Sequence, residues 1–288
     1  MTSDLETLVV AAYYFADCLP SPRGPGRPAE VTDAELVALA VCQAAMGIPS
    51  DRQFLGLVAH RLPGWFSHLP EQSQYNRRLR ALAPTLVWVQ QRLSALLATG
   101  TLRLADGTLL GVANYPGCAH KSVFAGVASY GWSPAKSRYY WGLRLVLLTD
   151  RAGLPLGYTL VPANEKEYEP VRALTMGERG ATLIADKGLW GRQYAETLRL
   201  QGIVIRTPER ARTTQNERSE LGLARLRLVI ESTIANLKCQ MRLEQHLAKT
   251  PAGLVQRIAQ RLLALTVGML LNALTGRAPR ALVAYDGR

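Results

Sequence analysis

The chain has 288 residues, of which 48% are apolar and 19% charged, a composition that allows a buried core and excludes a disordered or disulfide-dependent protein. Its 34 basic and 22 acidic residues give a net charge of +12. All of this excess lies after residue 100, and such an asymmetry indicates a polyanionic partner, with nucleic acid as the leading candidate.

Membrane, export and thiol signals are weak in this sequence. The longest uncharged apolar stretch covers residues 262–274, fewer than the roughly 20 that a membrane-spanning helix needs, so we expect no membrane segment. No basic region precedes the apolar residues 8–16, which predicts a cytoplasmic protein without a secretory signal. The cysteines stand singly, without a CxxC pair, so we expect any bound metal to have oxygen ligands.

The first hundred residues have the apolar periodicity of helices. Thr32 and Glu35 form a capping box before an apolar run that reaches Met46, which predicts the start of a helix. Further helices are predicted over residues 5–15, 50–58, 72–82 and 84–97. We therefore predict an all-helical N-terminal domain over residues 1–100.

From residue 101 the apolar period changes to two, which is typical of strands. Turn residues at Asp150-Arg-Ala-Gly153 predict an antiparallel hairpin between strands at residues 139–148 and 154–161. The other predicted elements are strands at residues 102–108, 182–186 and 203–206 and helices at residues 164–176, 191–200 and 219–239. Their order predicts an α/β domain over residues 101–250, in which helices cover a mixed sheet.

A last helix is predicted over residues 254–274, within a third region that spans residues 251–288. This helix is apolar around most of its circumference, so we expect it to pack on the core or to form a subunit interface.

Two aspartates occupy unusual positions in the predicted strands. Asp106 shares a strand face with Leu102 and Leu104, where a buried carboxylate is costly unless a cation or several donors meet it. Asp186 closes the strand at residues 182–186, and open α/β sheets bind ligands at the carboxyl ends of their strands. Taken singly, each aspartate also fits an ordinary turn or helix cap.

A third acid, Glu231, lies between two cations on the predicted helix 219–239. At about 100° per residue, Glu231 and Lys238 fall roughly 40° and 20° from Arg227, so all three share one stripe beside the apolar face. Two interpretations remain open from geometry alone. The stripe is either a surface ladder of ion pairs or a metal ligand flanked by phosphate-binding groups.

In combination, these motifs resemble the DDE transposases of bacterial insertion sequences, and the insertion sequence 982 family in particular. The motifs are Leu104-Ala-Asp106, Ile184-Ala-Asp186-Lys-Gly188 and Arg227-x3-Glu231-x6-Lys238. The resemblance extends over nearly the whole chain through Gly26-Arg-Pro28, Tyr75-Asn-Arg-Arg78, residues 126–136 and 139–143, and Asp150-x2-Gly153-Leu-Pro155.

The resemblance implies a ribonuclease-H-like catalytic core with Asp106, Asp186 and Glu231 as its acidic triad. The triad would bind two Mg²⁺ or Mn²⁺ ions. The activity it implies is cleavage of double-stranded DNA at the inverted-repeat ends of an insertion sequence and joining of the 3′-hydroxyl ends to target DNA. A homodimer bound to DNA in the bacterial cytoplasm, associated with the nucleoid, is expected.

The same resemblance assigns DNA contacts to basic residues. Arg227 and Lys238 correspond to the family's phosphate-binding residues around the glutamate, and Lys121, Lys136, Arg138 and Lys187 are further phosphate candidates. The helical domain is expected to recognise the element's ends. Arg27 would enter a narrow minor groove, while Arg77, Arg78 and Arg80 would follow the backbone or a major-groove edge.

Two competing functions remain. The first is a metal-dependent nuclease of the same fold, which would cut DNA without joining it. The second is a DNA-binding relic of a transposase without catalysis, an interpretation that gains weight because Ala224 and Leu189 stand where related transposases often have tyrosine.

Overall fold

The computed structural model describes residues 4–19, 29–115, 117–133, 137–186, 191–207 and 217–287. The chain divides into two compact units. Unit 1 combines residues 1–93 with residues 236–288, and unit 2 consists of residues 94–235. This grouping differs from the predicted domains, because the C-terminal segment belongs with the N-terminal helices.

The described part of unit 1 is helical, and every helix predicted in the first hundred residues is present. Its helices are α1 (Asp4–Asp17), α2 (Asp33–Ala45), α3 (Asp51–Arg61), α4 (Gln72–Ala81), most of α5 (Ala83–Leu97), the end of α9 (Glu217–Cys239) and α10 (Pro251–Leu274). The predicted capping box exists, since Thr32 accepts a hydrogen bond from the Glu35 amide and Glu35 accepts one from the Thr32 amide. Because these bonds satisfy free helix-end donors, they fix where α2 begins.

Helix α10 forms the centre of unit 1, where it packs on α1 and α2. By length and composition alone, this 24-residue helix could cross a membrane, but 89% of its most apolar window is buried inside the protein. Its buried face also carries polar side chains, among them Gln256, Arg257 and Gln260. The helix therefore packs on a core, as predicted, and this core belongs to unit 1.

Unit 2 contains a six-stranded mixed sheet. Its elements are β1 (Leu102–Ala113), α6 (Cys118–Lys121), β2 (Ser129–Ser133), β3 (Arg138–Asp150), β4 (Pro155–Pro162), α7 (Tyr168–Leu174), β5 (Thr182–Ile184), α8 (Arg192–Leu200), β6 (Val204–Arg206) and α9 up to residue 235. The strand order is β4-β3-β1-β5-β6, with β2 as a further partner of β3. Strands β3 and β4 pair antiparallel, as predicted, and β1 pairs antiparallel with β3 but parallel with β5.

This strand order, with three antiparallel strands followed by two parallel ones, is the predicted ribonuclease-H-like sheet. One face is covered by α7 and α8, which bury Val171, Tyr194 and Leu198 against it. Helix α9 contributes Ile230 and Ile234 to the buried residues, and its Thr233 hydroxyl donates to the Gly153 carbonyl. Residues on both faces of β1 are buried because helices cover both sides of a central strand.

Four features of unit 2 differ from the sequence prediction. Strand β5 ends at Ile184, so Asp186, expected to close it, lies two residues beyond it. Strand β1 continues to Ala113, and β2 and α6 fill a region for which no element was predicted. Helix α7 begins at Tyr168, four residues later than predicted, and Asn164 before it accepts a hydrogen bond from the Ser129 hydroxyl at 2.7 Å.

Candidate active site

The register between β1 and β5 aligns the two aspartates. Leu104 and Ile184 are the last registered pair of these parallel strands, and Asp106 and Asp186 each follow that pair by two residues. Adjacent strands lie about 4.8 Å apart, so equal offsets from one pair bring side chains on the same face close together. Two aspartates 80 residues apart in the sequence therefore meet at one edge of the sheet.

Helix α9 brings the third acid to the same place. Arg227 and Glu231 lie one turn apart on α9, and the Arg227 guanidinium is 3.6 Å from the Glu231 carboxylate and 3.3 Å from the Asp186 carboxylate. Asp106, Asp186 and Arg227 line one cleft with the apolar side chains of Leu104, Ile184 and Ile230. The cleft has a volume of about 10 Å³, room for roughly one water molecule.

The acids differ in exposure. The Asp186 and Glu231 side chains are 52% and 48% exposed, whereas Asp106 is half-buried and accepts a hydrogen bond from the Gly107 amide. Burial raises the pKa of Asp106 to about 6, and the Glu167 and Glu231 carboxylates act in the same direction, against the Gly107 amide and Arg227. A proton or a cation is therefore favoured at this carboxyl.

The donor set fits a hard divalent cation, because carboxylate oxygens are the ligands that Mg²⁺ and Mn²⁺ prefer. Among the described residues, however, no three acidic, histidine or cysteine side chains are arranged for shared coordination. The Arg227 guanidinium contacts two of the carboxylates and offsets one of their two negative charges. Shared coordination by all three acids would require the carboxylates to move together and the guanidinium to turn away.

The remaining predicted DNA contacts have varied surroundings. Arg227 and Glu231 form an ion pair on α9. Lys238 pairs instead with Glu244 at 3.3 Å, so among the described residues the predicted ladder of ion pairs does not extend from Glu231 to Lys238. Arg138 is exposed and lies over the Tyr140 ring. Lys121 is the last residue of α6.

In unit 1, Arg77 is exposed on α4, and Arg78 donates to Asp33 at 2.6 Å and to the Val31 carbonyl at 2.8 Å. Arg80 donates to the Asn76 carbonyl at 3.4 Å. The predicted contacts Arg27, Lys136 and Lys187 lie outside the described residues.

The sequence analysis did not identify Glu167 and Arg144 near the site. Glu167 pairs with Arg144, and its carboxylate lies so close to Gly107 that a Cβ there would be 2.4 Å from the oxygen. A glycine inside a strand, directly after the candidate aspartate, is the signal that could have indicated this close approach.

Comparisons with known proteins agree with these features. Residues 98–267 match the protein family described as the transposase DDE domain. No curated protein sequence matches the chain.

Solved structures similar to the chain include three transposase complexes, all with TM-scores below 0.5. A piggyBac transposase synaptic complex with hairpin DNA has a TM-score of 0.49 and 11% identity over 98% of this chain and 77% of that chain. A Mos1 transposase paired-end complex with the left transposon end has a TM-score of 0.24 and 14% identity, over 78% of this chain and 82% of that one. A pre-cleavage Mos1 transpososome has a TM-score of 0.24 and 15% identity, over 93% and 82%.

A ribonuclease-H-like sheet with one acid in its first strand, a second after the adjacent parallel strand and a third on a following helix is typical of enzymes that transfer phosphoryl groups in nucleic acids. The family match covers more than half of the chain, so this chain belongs to the transposase DDE domain family. It is a DNA transposase, an enzyme that cleaves and joins DNA, and DDE transposases generally use divalent metal ions.

Proposed function

We propose that this transposase belongs to a bacterial insertion sequence of the 982 family type, cleaves DNA at the element's ends and joins the 3′-hydroxyl ends to target DNA. The observation that supports this most strongly is that Asp186 and Glu231 approach one arginine, Arg227, in the cleft that Asp106 also lines. Asp106 and Asp186 follow the same registered strand pair, and Arg227 lies within 3.6 Å of both Asp186 and Glu231.

Asp106, Asp186 and Glu231 are the proposed ligands of two Mg²⁺ or Mn²⁺ ions. Such ions, when bound, supply stabilisation of the entering and leaving oxygens of an in-line displacement at phosphorus. Asp106 is the least exposed of the three acids, and the Glu167 and Glu231 carboxylates, together with burial, disfavour its negative charge unless a proton or cation joins it. Asp186 and Glu231, being half-exposed, have the freedom to close on a scissile phosphate.

Arg227 has the proposed role of holding a DNA phosphate. Its guanidinium matches the geometry of phosphate oxygens, and it is held here by two exposed carboxylates at distances longer than an ideal charge-assisted hydrogen bond. A DNA phosphate that binds Arg227 would therefore replace two weak ion pairs, those with Asp186 and Glu231. In this scheme water attacks the phosphorus and leaves a 3′-hydroxyl, which then attacks a target phosphate in the same site.

The proposed DNA-end-binding domain is the N-terminal helical domain, residues 1–100, acting in a homodimer on the inverted repeats. The exposed Arg77 supports a backbone contact from α4. Support for Arg78 and Arg27 rests on the sequence, since Arg78 bonds to Asp33 and Val31 and Arg27 lies outside the described residues. The proposed location of this protein is the bacterial cytoplasm, in association with the nucleoid.

A strand-transfer assay tests the proposal. The probe is a duplex that carries the inverted repeats flanking the coding region, mixed with plasmid target and Mg²⁺. Joined products from the wild-type protein support a transposase, nicks without joined products support the nuclease alternative, and binding without either product supports the non-catalytic relic.

Metal binding is measured separately by titration calorimetry with Mn²⁺ in the absence of DNA. Wild-type protein is expected to bind Mn²⁺, and Asp106→Ala, Asp186→Ala and Glu231→Ala are expected to weaken that binding. Glu169→Ala is the matched control, because Glu169 is an exposed carboxylate that pairs with Arg172 on α7. Equal Mn²⁺ binding by all four variants and the wild type would remove the three acids from the metal site.

A further inference from the structure

The hairpin of β2 and β3 carries aromatic side chains on one face. Tyr130 pairs in register with Trp141, and Trp132 pairs with Tyr139. Because side chains two apart share a face, all four rings project to the same side of the hairpin. The Tyr130 and Trp141 rings are 5.1 Å apart and the Trp132 and Tyr139 rings 5.0 Å apart, so they form two successive aromatic rungs.

The outer rung is exposed to solvent. Trp132 and Tyr139 are 47% and 67% exposed, and Tyr130 of the inner rung is 52% exposed, whereas Trp141 is buried. The rings of the outer rung meet edge to face, at 61°. In this arrangement one ring covers a single face of its neighbour, so open ring faces remain for another planar group.

The charges in the sequence around the hairpin indicate which planar group would stack on these rings. From Gly107 to Thr149 the sequence contains no aspartate or glutamate over 43 residues, but it contains Lys121, Lys136 and Arg138. Arg144 also lies in this stretch, where it pairs with Glu167. Arg138 is exposed on the hairpin itself, with its guanidinium 4.5 Å from the centre of the Tyr140 ring. Exposed aromatic rings beside an arginine, in a stretch of sequence without acids, fit nucleobases on a phosphate backbone.

The bases must be unpaired. In a duplex, each base face is covered by its neighbours, so a side chain can stack on a base only where the strand is open. We propose that the outer aromatic rung, Trp132 and Tyr139, is a stacking platform for unpaired nucleotides of a DNA strand bound by this enzyme. This inference rests on the proposed DNA strand chemistry and adds a second DNA contact to it.

The sheet register places the platform relative to the candidate site. Asp106 pairs with Leu147 on β3, and Tyr139 lies eight residues before Leu147 on the same strand. At about 3.4 Å per residue this separation is at most roughly 27 Å, which corresponds to about eight stacked nucleotides. The platform would therefore contact bases up to about eight positions from the scissile phosphate.

Fluorescence anisotropy with two labelled probes, single-stranded oligo(dT)20 and a 20-base-pair blunt duplex, tests the platform in the full chain. The Trp132→Ala/Tyr139→Ala variant is expected to bind oligo(dT)20 at least about tenfold more weakly, while its affinity for the duplex changes less than about twofold. The Trp132→Phe/Tyr139→Phe variant keeps both rings and is expected to bind both probes like the wild type.

Trp88→Ala is the matched control. Trp88 is also 47% exposed and also lies beside an arginine, with Arg92 5.5 Å from its ring centre, but it belongs to α5 in unit 1. Its removal is expected to change neither affinity. A loss of oligo(dT)20 binding in Trp88→Ala equal to that in the double alanine variant would overturn the assignment to the hairpin.

Photocrosslinking provides a second measurement that needs no substitution. Oligo(dT)20 with 5-iodouracil bases, irradiated with the wild-type protein, is expected to crosslink to Trp132 or Tyr139, as identified by mass spectrometry. Crosslinks found exclusively outside residues 129–144 would overturn the inference even if the alanine variant failed to fold.

The remaining outcomes separate the inference from the proposed function. If the wild type cuts and joins DNA but the double alanine variant binds oligo(dT)20 normally, the platform is wrong and the proposed function stands. If that variant instead loses mass in light scattering with unchanged DNA binding, the rung is a contact between copies of the chain. If the wild type binds neither probe, the proposed function and the inference both fail.

Discussion

Each unit of the molecule contains an arginine that is paired with carboxylates, and the two clusters differ in almost every respect. In unit 1, Arg257 pairs with Asp51 at 2.5 Å, and the two side chains are 7% and 4% exposed. In unit 2, Arg227 lies 3.3 Å and 3.6 Å from Asp186 and Glu231, all of them one-third to one-half exposed.

The cluster in unit 1 is closed. Gln43 and Asn76 also donate to Asp51, and Gln43 accepts from the buried Tyr75 hydroxyl. Burial alone would raise the pKa of Asp51, but Arg257 and these hydrogen bonds hold it below its usual value. Asp106 in unit 2 has the opposite shift, because burial and nearby carboxylates raise its pKa.

This contrast separates two uses of the same residue types. A buried ion pair whose hydrogen-bond partners are all present fixes the positions of the helices that carry it. Breaking such a pair would cost about 3–5 kcal/mol of folding free energy. An exposed pair with long distances and an acid whose charge is disfavoured can take up new ligands. Of these two clusters, the candidate site is the one whose charges the protein satisfies less completely.

The largest expected effect is on catalysis. Asp186→Ala and Glu231→Ala should each lower DNA cleavage on the order of a thousandfold or more, because each removes a proposed metal ligand. Thermal unfolding and duplex binding should stay close to wild type, since both side chains are about half exposed. Near-normal cleavage by either variant would mean that the acid lies outside the active site.

Arg257→Ala should have the largest effect on stability. It leaves Asp51 buried without its cation, which typically costs about 3–5 kcal/mol. The free energy of unfolding, measured by urea denaturation, should fall by this amount. A change below about 1 kcal/mol would contradict the description of the unit 1 cluster as closed.

The stability of unit 1 should decrease in acid because of Asp51. Its folded-state pKa is below the unfolded value, so its contribution is complete above about pH 4 and is lost as the pH falls through the folded-state pKa. Asp51→Asn should therefore show a weaker decrease in stability over this range. Parallel stability curves for the variant and the wild type, recorded by circular dichroism, would show that Asp51 is not the group responsible.

Arg227→Ala should have the smallest effect on folding. Exposed ion pairs contribute about 0–1 kcal/mol, and water can solvate the two carboxylates once the guanidinium is gone. Strand cleavage should nevertheless drop, because the variant lacks the proposed phosphate contact. A stability loss as large as that of Arg257→Ala would remove the difference between the two clusters.

Local signals in the sequence predicted much of the fold. The capping box at Thr32 and Glu35 and the turn at Asp150–Gly153 predicted the start of α2 and the β3–β4 hairpin, because both features depend on residues close in the sequence. Strand β2 was not predicted, since it is five residues long and two of them are serines. Its pairing comes from β3, a contact that no local pattern encodes.

The candidate site could be predicted in part. Asp106 lies within a strand and Glu231 on a helix, as predicted, whereas Asp186 lies two residues past the end of its strand. Asp106 and Asp186 line one cleft, and Glu231 approaches Arg227 of that cleft. The approach of Glu167 to Gly107 was not predicted, because it depends on where the start of α7 packs against β1. Side-chain pairs such as Lys238 with Glu244 likewise depend on tertiary packing.

The division of unit 1 between the two ends of the chain has a consequence for synthesis. Helices α1 and α2 pack on α10, which the ribosome makes more than 200 residues later. The sheet of unit 2 can form while the first helices still await their partner, since domains fold as their residues emerge. A nascent chain stalled near residue 240 should therefore expose apolar helices that bind chaperones, and release of residues 251–274 should end that exposure.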